Sequence, residues 1–150
     1  MASDPPASFT SSHDPLPSVE VAAALVFRDG KLLITQRYAD AHLGGFWEFP
    51  GGKREPGETF EHCLVRELRE ELGIEVAVGA LLESLTHAYP EKTVHLRFFR
   101  CRWKEHEPRL LGCAALRWVT AAELQNYAFP AADARLLQML QNTPRLWQEH

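Results

Sequence analysis

No stretch of this sequence approaches the ~18 consecutive apolar residues that span a bilayer, so no membrane partner is expected. Positive charge is also short: 16 Lys and Arg stand against 20 Asp and Glu, a formal net charge of −4. A general DNA or RNA binder carries a basic surface, so no nucleic-acid polymer is expected as a partner. One small phosphorylated ligand remains compatible with that balance. Cysteine is scarce. Cys63, Cys101 and Cys113 are an odd set without CxxC spacing. That excludes a disulfide framework and a zinc site, and fits reduced thiols in a cytoplasm. The opening 18 residues, MASDPPASFTSSHDPLPS, have neither the basic nor the apolar region of a signal peptide. With four Pro and five Ser they read as a flexible tail, residues 1–18, ahead of one domain over 19–150.

What is present is enough for a packed core: 45% hydrophobic and 10% aromatic residues in a chain of 150. Val19–Phe27 and Lys31–Arg37 flank Asp29-Gly30, a hairpin signal. Phe46–Phe49 is a short aromatic strand in which Trp47 and Phe49 flank Glu48; one is expected to face the core and the other a ligand. Residues 51–57 read as a Gly/Pro loop. Glu58–Leu72 has helical spacing, with Phe60, Cys63, Leu64, Leu68 and Leu72 on one face and Gly73 as a natural stop. Ile74–Tyr89 and Lys92–Trp103 read as a long strand pair, and Leu116–Val119 as a further strand. Thr120 and Glu123 form a capping box. Ala131–Gln141 is an amphipathic last helix, with Asp133 near its start as an N-cap or surface residue. Strands and helices in this order give a mixed α/β domain.

The chemistry concentrates on the first helix. At ~100° per residue, Glu67 and Glu71 lie ~40° apart and Glu70 ~60° to the other side of Glu67. Three carboxylates therefore share one strip, where like charges repel. A solvated face with intrahelical ion pairs, such as Arg66 with Glu70, is one reading. A divalent cation is the other. Clustered hard oxygens suit Mg²⁺ or Mn²⁺, and Mg²⁺ combines a few carboxylates with substrate phosphate oxygens. The Gly51-Gly52 pair ahead of the helix lets backbone approach a metal or phosphate closely.

Residues 52–74 resemble the box of the Nudix family, G-x5-E-x7-R-E-U-x-E-E-x-G-U, where U is a bulky apolar residue. Gly52, Glu58, Arg66, Glu67, Leu68, Glu70, Glu71, Gly73 and Ile74 fill every fixed position. LLITQRYADAH, EFPGGK and FPAAD are similar to the MutT branch, and the likeness runs from about Val19 to Leu140. The resemblance implies an α/β/α sandwich around a mixed sheet and a Mg²⁺-dependent hydrolase that splits a nucleoside triphosphate into monophosphate and pyrophosphate. It implies Glu67, Glu70, Glu71 and the Gly51 carbonyl as metal ligands; because the chain lacks the usual loop acid at Gly112, the general base is expected from the box itself, Glu70 first and Glu67 next. Arg66 and Glu58 take orienting roles. Arg37, Phe49, Tyr89 and Lys92 are implied on the nucleotide, with His42 an ordinary residue of the matching loop.

Two departures matter. Asp133 stands where an Asn often reads the base edge. An ionised Asp only accepts hydrogen bonds, which favours a cytosine or adenine amino group or the N7–H of an 8-oxopurine; burial would be needed to make it a donor. Gly112 stands where a loop Glu is usual, six residues before Trp118, with Glu105 and Glu107 the nearest acids. The expected activity is nucleotide-pool sanitisation on a modified dNTP such as 8-oxo-dGTP. A CTP or 5-methyl-dCTP pyrophosphohydrolase is one alternative; a non-catalytic nucleotide-binding module, which the missing loop acid would favour, is the other. Monomer and homodimer are both left open.

Overall fold

The computed structural model describes residues 17–148. The expected tail lies outside these except for Pro17 and Ser18. The Pro17 carbonyl accepts the Thr93 N–H at 2.9 Å, and Ser18, not Val19, opens the first strand by pairing with Thr93. Strand β1 (Ser18–Arg28) turns through Asp29-Gly30 into β2 (Lys31–Gln36). Both turn residues have positive φ, 52° and 76°, the mirror-image turn that suits a twisted hairpin. Two short strands follow, β3 (Trp47–Glu48) and β4 (Gly51–Lys53), then α1 (Phe60–Leu72). The long hairpin of β5 (Glu75–Tyr89) and β6 (Lys92–Glu105) and the short β7 (Ala115–Val119) complete the sheet. The last helix is α2 (Ala134–Gln141).

The sheet runs β3-β2-β1-β6-β5, with β4 paired to β1 and β7 to β2. Strands β1 and β6 are parallel and the other pairs antiparallel, so the sheet is mixed. Alternation along β1 builds the layers. Ala22, Ala24 and Val26 pack with Cys63, Leu64, Leu68 and Leu72 of α1. Ala23, Leu25 and Phe27 pack on the other face with Leu136 and Leu140 of α2 and with Trp147. A strand covered on both faces reads as one apolar run, as Val19–Phe27 does. This is the expected α/β/α sandwich.

Four local readings need correction. The first helix starts at Phe60, because the Thr59 hydroxyl caps it by accepting the His62 N–H at 3.1 Å. Residues 51–53 are a strand rather than a loop, in register with Ala23, Ala22 and Val21 of β1. Trp47 and Phe49 do not lie on opposite faces: both belong to the core on the α2 side, since residues two apart in an extended chain share a face, and Phe49 alone of the two also lines the cavity described below. The last helix begins with a 3₁₀ turn, Ala131–Asp133, and Asp133 makes no side-chain capping bond. Its carboxyl is buried instead.

Candidate active site

Strand β4 lies directly on the carboxylate strip of α1. A Cβ on Gly52 would overlap the Glu67 carboxyl, so only glycine allows the two to share this space. One turn later, the Glu71 carboxyl accepts a hydrogen bond from the Gly51 backbone. Burial, with Glu67 and Glu48 close by, pushes Glu71 up to about 9. Burial also raises Glu67, against the pull of Arg66. The contact between the two carboxyls lowers Glu67 and raises Glu71, so it favours the proton on Glu71. Glu70, the third of the strip, is exposed.

Arg66 organises this face. Its Nε and Nη2 donate to the two oxygens of Glu58 at 2.6 and 2.9 Å. Nη2 also donates to the Lys53 carbonyl at 3.1 Å, and Nη1 to Glu67 and Glu70 at 3.1 and 3.3 Å. One guanidinium thus ties the loop, the strand and two box glutamates together. Glu58 in turn accepts the Glu55 N–H at 2.9 Å. The Arg66 bonds, aided by that N–H, hold its carboxyl down to about 2.

This donor set fits a hard divalent cation. Glu48, Glu67 and Glu71 crowd together, and the elevated carboxyls of the latter two lack a neutralising cation beyond Arg66. Among the described residues no group of three or more His, Cys, Asp or Glu side chains is placed to hold a metal ion. Mg²⁺ seldom uses an all-protein cage; it fills its octahedron with water and phosphate oxygens beside one or two carboxylates.

Beside the carboxylates opens a cavity of about 250 Å³. Arg37, Phe49, Tyr89, Lys92 and Asp133, all five residues expected at the nucleotide, line it, and Gly51 and Gly52 join it to the strip. Arg37 pairs with Glu48 at 3.0 Å and donates to the His42 carbonyl at 3.0 Å. Asp133 is 8% exposed. Burial pushes its carboxyl up to about 6, moderated by Arg37. Phe49 stacks on Phe129 with ring centres 5.1 Å apart. Tyr89 meets His42 and His87 edge-on at 5.2 and 4.5 Å.

Three polar side chains of the cavity wall escape the sequence reading: Glu48, Lys53 and His42. His42 is more than a loop residue, since it lines the cavity against Tyr89. Glu48 carried a usable signal. Between two core aromatics on a strand it must face the opposite side, which is the side of α1. Burial raises its carboxyl, against Arg37. Neither acid near Gly112 replaces the missing loop Glu. Glu107 is bound to Arg28 at 2.8 and 3.1 Å, and Glu105 lies 3.6 Å from His106.

A NUDIX domain profile matches residues 21–139. The chain belongs to the Nudix family. It is 41% identical to the CTP pyrophosphohydrolase of Escherichia coli K12 over 125 residues, 80% of this chain and 89% of that protein. It is 34% identical to the 8-oxo-dGTP diphosphatase of the same organism over 123 residues, 81% and 95% of the two chains. Among solved structures, that of the E. coli ORF135 protein superposes with a TM-score of 0.73 at 37% identity, covering 87% of this chain and 94% of that one. This Nudix domain is a MutT-like hydrolase, with its box glutamates beneath β4 and its cavity beside them.

Proposed function

We propose that this hydrolase converts a modified nucleoside triphosphate, with 8-oxo-dGTP as the main substrate, to the monophosphate and pyrophosphate in a Mg²⁺-dependent reaction. The observation that carries the reading is Asp133, buried in the wall of the cavity that β4 joins to the glutamate strip. An ionised Asp133 accepts the N7–H of an 8-oxopurine and opposes the N7 lone pair of ordinary guanine. The similarity to 8-oxo-dGTP diphosphatases of Proteus vulgaris and E. coli supports the same base.

Glu67, Glu70, Glu71 and the Gly51 carbonyl would hold Mg²⁺, or Mn²⁺ in its place. When bound, the cation neutralises phosphate charge and lowers the pKa of a water. Arg66 fixes Glu67 and Glu70 in direction. Arg37 and Lys92 place the phosphates, while Phe49 and Tyr89 flank the nucleoside. Glu70, the exposed member of the strip, accepts the water's proton, with Glu67 as the second choice. The three cysteines are free and buried, and burial pushes their thiols up to about 11 or 12. Such inert thiols are compatible with action in a reducing cytoplasm.

A cytosine nucleotide is the second reading. Its amino group also donates to an ionised Asp133, and the similarity to the CTP pyrophosphohydrolase of E. coli favours it. The test is kcat/KM at pH 7.5 for 8-oxo-dGTP, dGTP, CTP, 5-methyl-dCTP and dATP. The expected result is preference for 8-oxo-dGTP over dGTP by about 10²-fold or more. A cytosine nucleotide ahead of 8-oxo-dGTP would replace the first reading with the second.

A further inference from the structure

The loop that lacks its acid is bound to the helix that carries the others. The N–H groups of Leu111 and Gly112 both donate to the Glu71 carbonyl, at 3.1 and 3.0 Å, and the Arg109 N–H donates to the Leu72 carbonyl at 2.8 Å. These carbonyls are in the last turn of α1, where no intrahelical partner remains. The Arg109 guanidinium lies over Gly73, close enough that a Cβ there would sit 2.6 Å from Nη2. Behind this contact Cys113 is buried in the α1 core, and the Ala114 N–H ties the loop to the Gln36 carbonyl of β2 at 2.9 Å.

Gly112 faces Glu71 itself. A Cβ at position 112 would stand 3.2 Å from both Cα and Cγ of Glu71 and 3.4 Å from its Cβ. The φ of Gly112 is not in the positive range, so no backbone conformation demands glycine. The crowding at 112 comes from Glu71. Any group at 112 displaces Glu71 by a few tenths of an ångström, comparable to the ~0.5 Å within which a ligand must be held.

We propose that Arg109–Cys113 is a positioning element for Glu71, and that glycine at 112 sets the geometry of the cation site where a longer residue would lend it a carboxylate. This rests on the metal-dependent reading above. Gly112 is a positioning residue: it acts through Glu71 and touches no reacting atom.

The test is Mn²⁺ binding to the nucleotide-free protein, followed by electron paramagnetic resonance, in native protein, Gly112→Ala, Gly112→Glu and the exposed-loop control Leu110→Ala. Both Gly112 variants are expected to weaken Mn²⁺ by about 10-fold, with the nucleotide KM at saturating Mg²⁺ and the Leu110→Ala affinity unchanged. Native affinity in Gly112→Ala, or tighter Mn²⁺ in Gly112→Glu, overturns the proposal. A second measurement needs no variant: amide exchange of the native protein with and without Mg²⁺. The amides of 109–113 are expected to slow together with the last turn of α1. Protection of α1 with no change in 109–113 overturns it. Because both measurements read metal binding, they stand apart from the substrate assay: a native protein that binds Mn²⁺ but hydrolyses no nucleotide would sink the proposed function and leave this inference intact.

Discussion

Gly52 and Glu67 occupy one space: the carboxyl of Glu67 fills the volume that a side chain on residue 52 would take. Replacing Gly52 with Ala therefore moves the carboxyl of Glu67, a proposed cation ligand, rather than a loop. We expect kcat/KM to fall about 10²-fold, the cost of an ångström-scale misplacement, with the circular dichroism of the native fold retained. Near-native activity in Gly52→Ala would show that Glu67 moves aside freely and does not hold the cation.

The Glu67–Glu71 pair predicts a proton count. Glu71 sits at about 9 and Glu67 is raised, so the pair holds a proton at pH 7.5. A cation needs both carboxyls ionised. Mg²⁺ binding should release about one proton at pH 7.5. Calorimetry in buffers of differing ionisation enthalpy reads it directly. Release should shrink above pH 9, where the proton is already gone. Glu71→Gln should abolish it. A release that persists in that variant points to a different group.

Asp133 links base recognition to pH. Its folded pKa, about 6, lies above its ordinary value of 3.8. A raised carboxyl contributes stability below the unfolded pKa and loses it as pH rises through about 6. Asp133→Asn should therefore raise stability at pH 8, by roughly 2–3 kcal/mol, and change it little at pH 3.5. In the same variant the rising limb of kcat/KM near pH 6 for 8-oxo-dGTP should vanish, because an ionised acceptor is no longer formed. An unchanged limb would assign that titration elsewhere.

Glu58 titrates the other way. Arg66 and the Glu55 N–H hold it near 2, so its stabilising effect is present above the unfolded pKa and is lost as pH falls through about 2. Glu58→Gln should lower Tm at pH 7 and converge on the native protein near pH 2. It should also weaken Mg²⁺, since Arg66 loses the anchor that lets it reach Glu67 and Glu70. Thermal scans at both pH values, with a Mg²⁺ titration, check this. An equal Tm deficit at both pH values would count against the ion pair.

The carboxylate strip is legible in sequence because helical spacing alone puts Glu67, Glu70 and Glu71 on one side, and the apolar set of α1 fixes which side is buried. The residues proposed at the nucleotide are legible only through the family resemblance; they follow the ends of β2 and β3, lie in β5 and β6 and on the approach to α2, which no local pattern assembles. Residues 51–53 are not legible as a strand, because three residues with two glycines carry no alternation. Yet this strand decides the site, since it lies against Glu67 and Glu71. The depth of Asp133 is equally hidden: its place at a helix start suits an N-cap, and nothing local signals that it is buried in the cavity wall. Glu48 was within reach, had the period of two been applied through Trp47 and Phe49.

The most direct test of the whole account is the product of one turnover. 8-oxo-dGTP is incubated with native protein and Mg²⁺, and the products are resolved by anion-exchange chromatography beside Glu70→Gln. The account predicts 8-oxo-dGMP and pyrophosphate in equal amounts, with the rate in Glu70→Gln lower by about 10²–10⁴-fold. Diphosphate with inorganic phosphate would contradict the pyrophosphohydrolase assignment. Metal-dependent nucleotide binding without turnover across the substrate panel would make this Nudix domain a reader of nucleotides rather than a hydrolase of them.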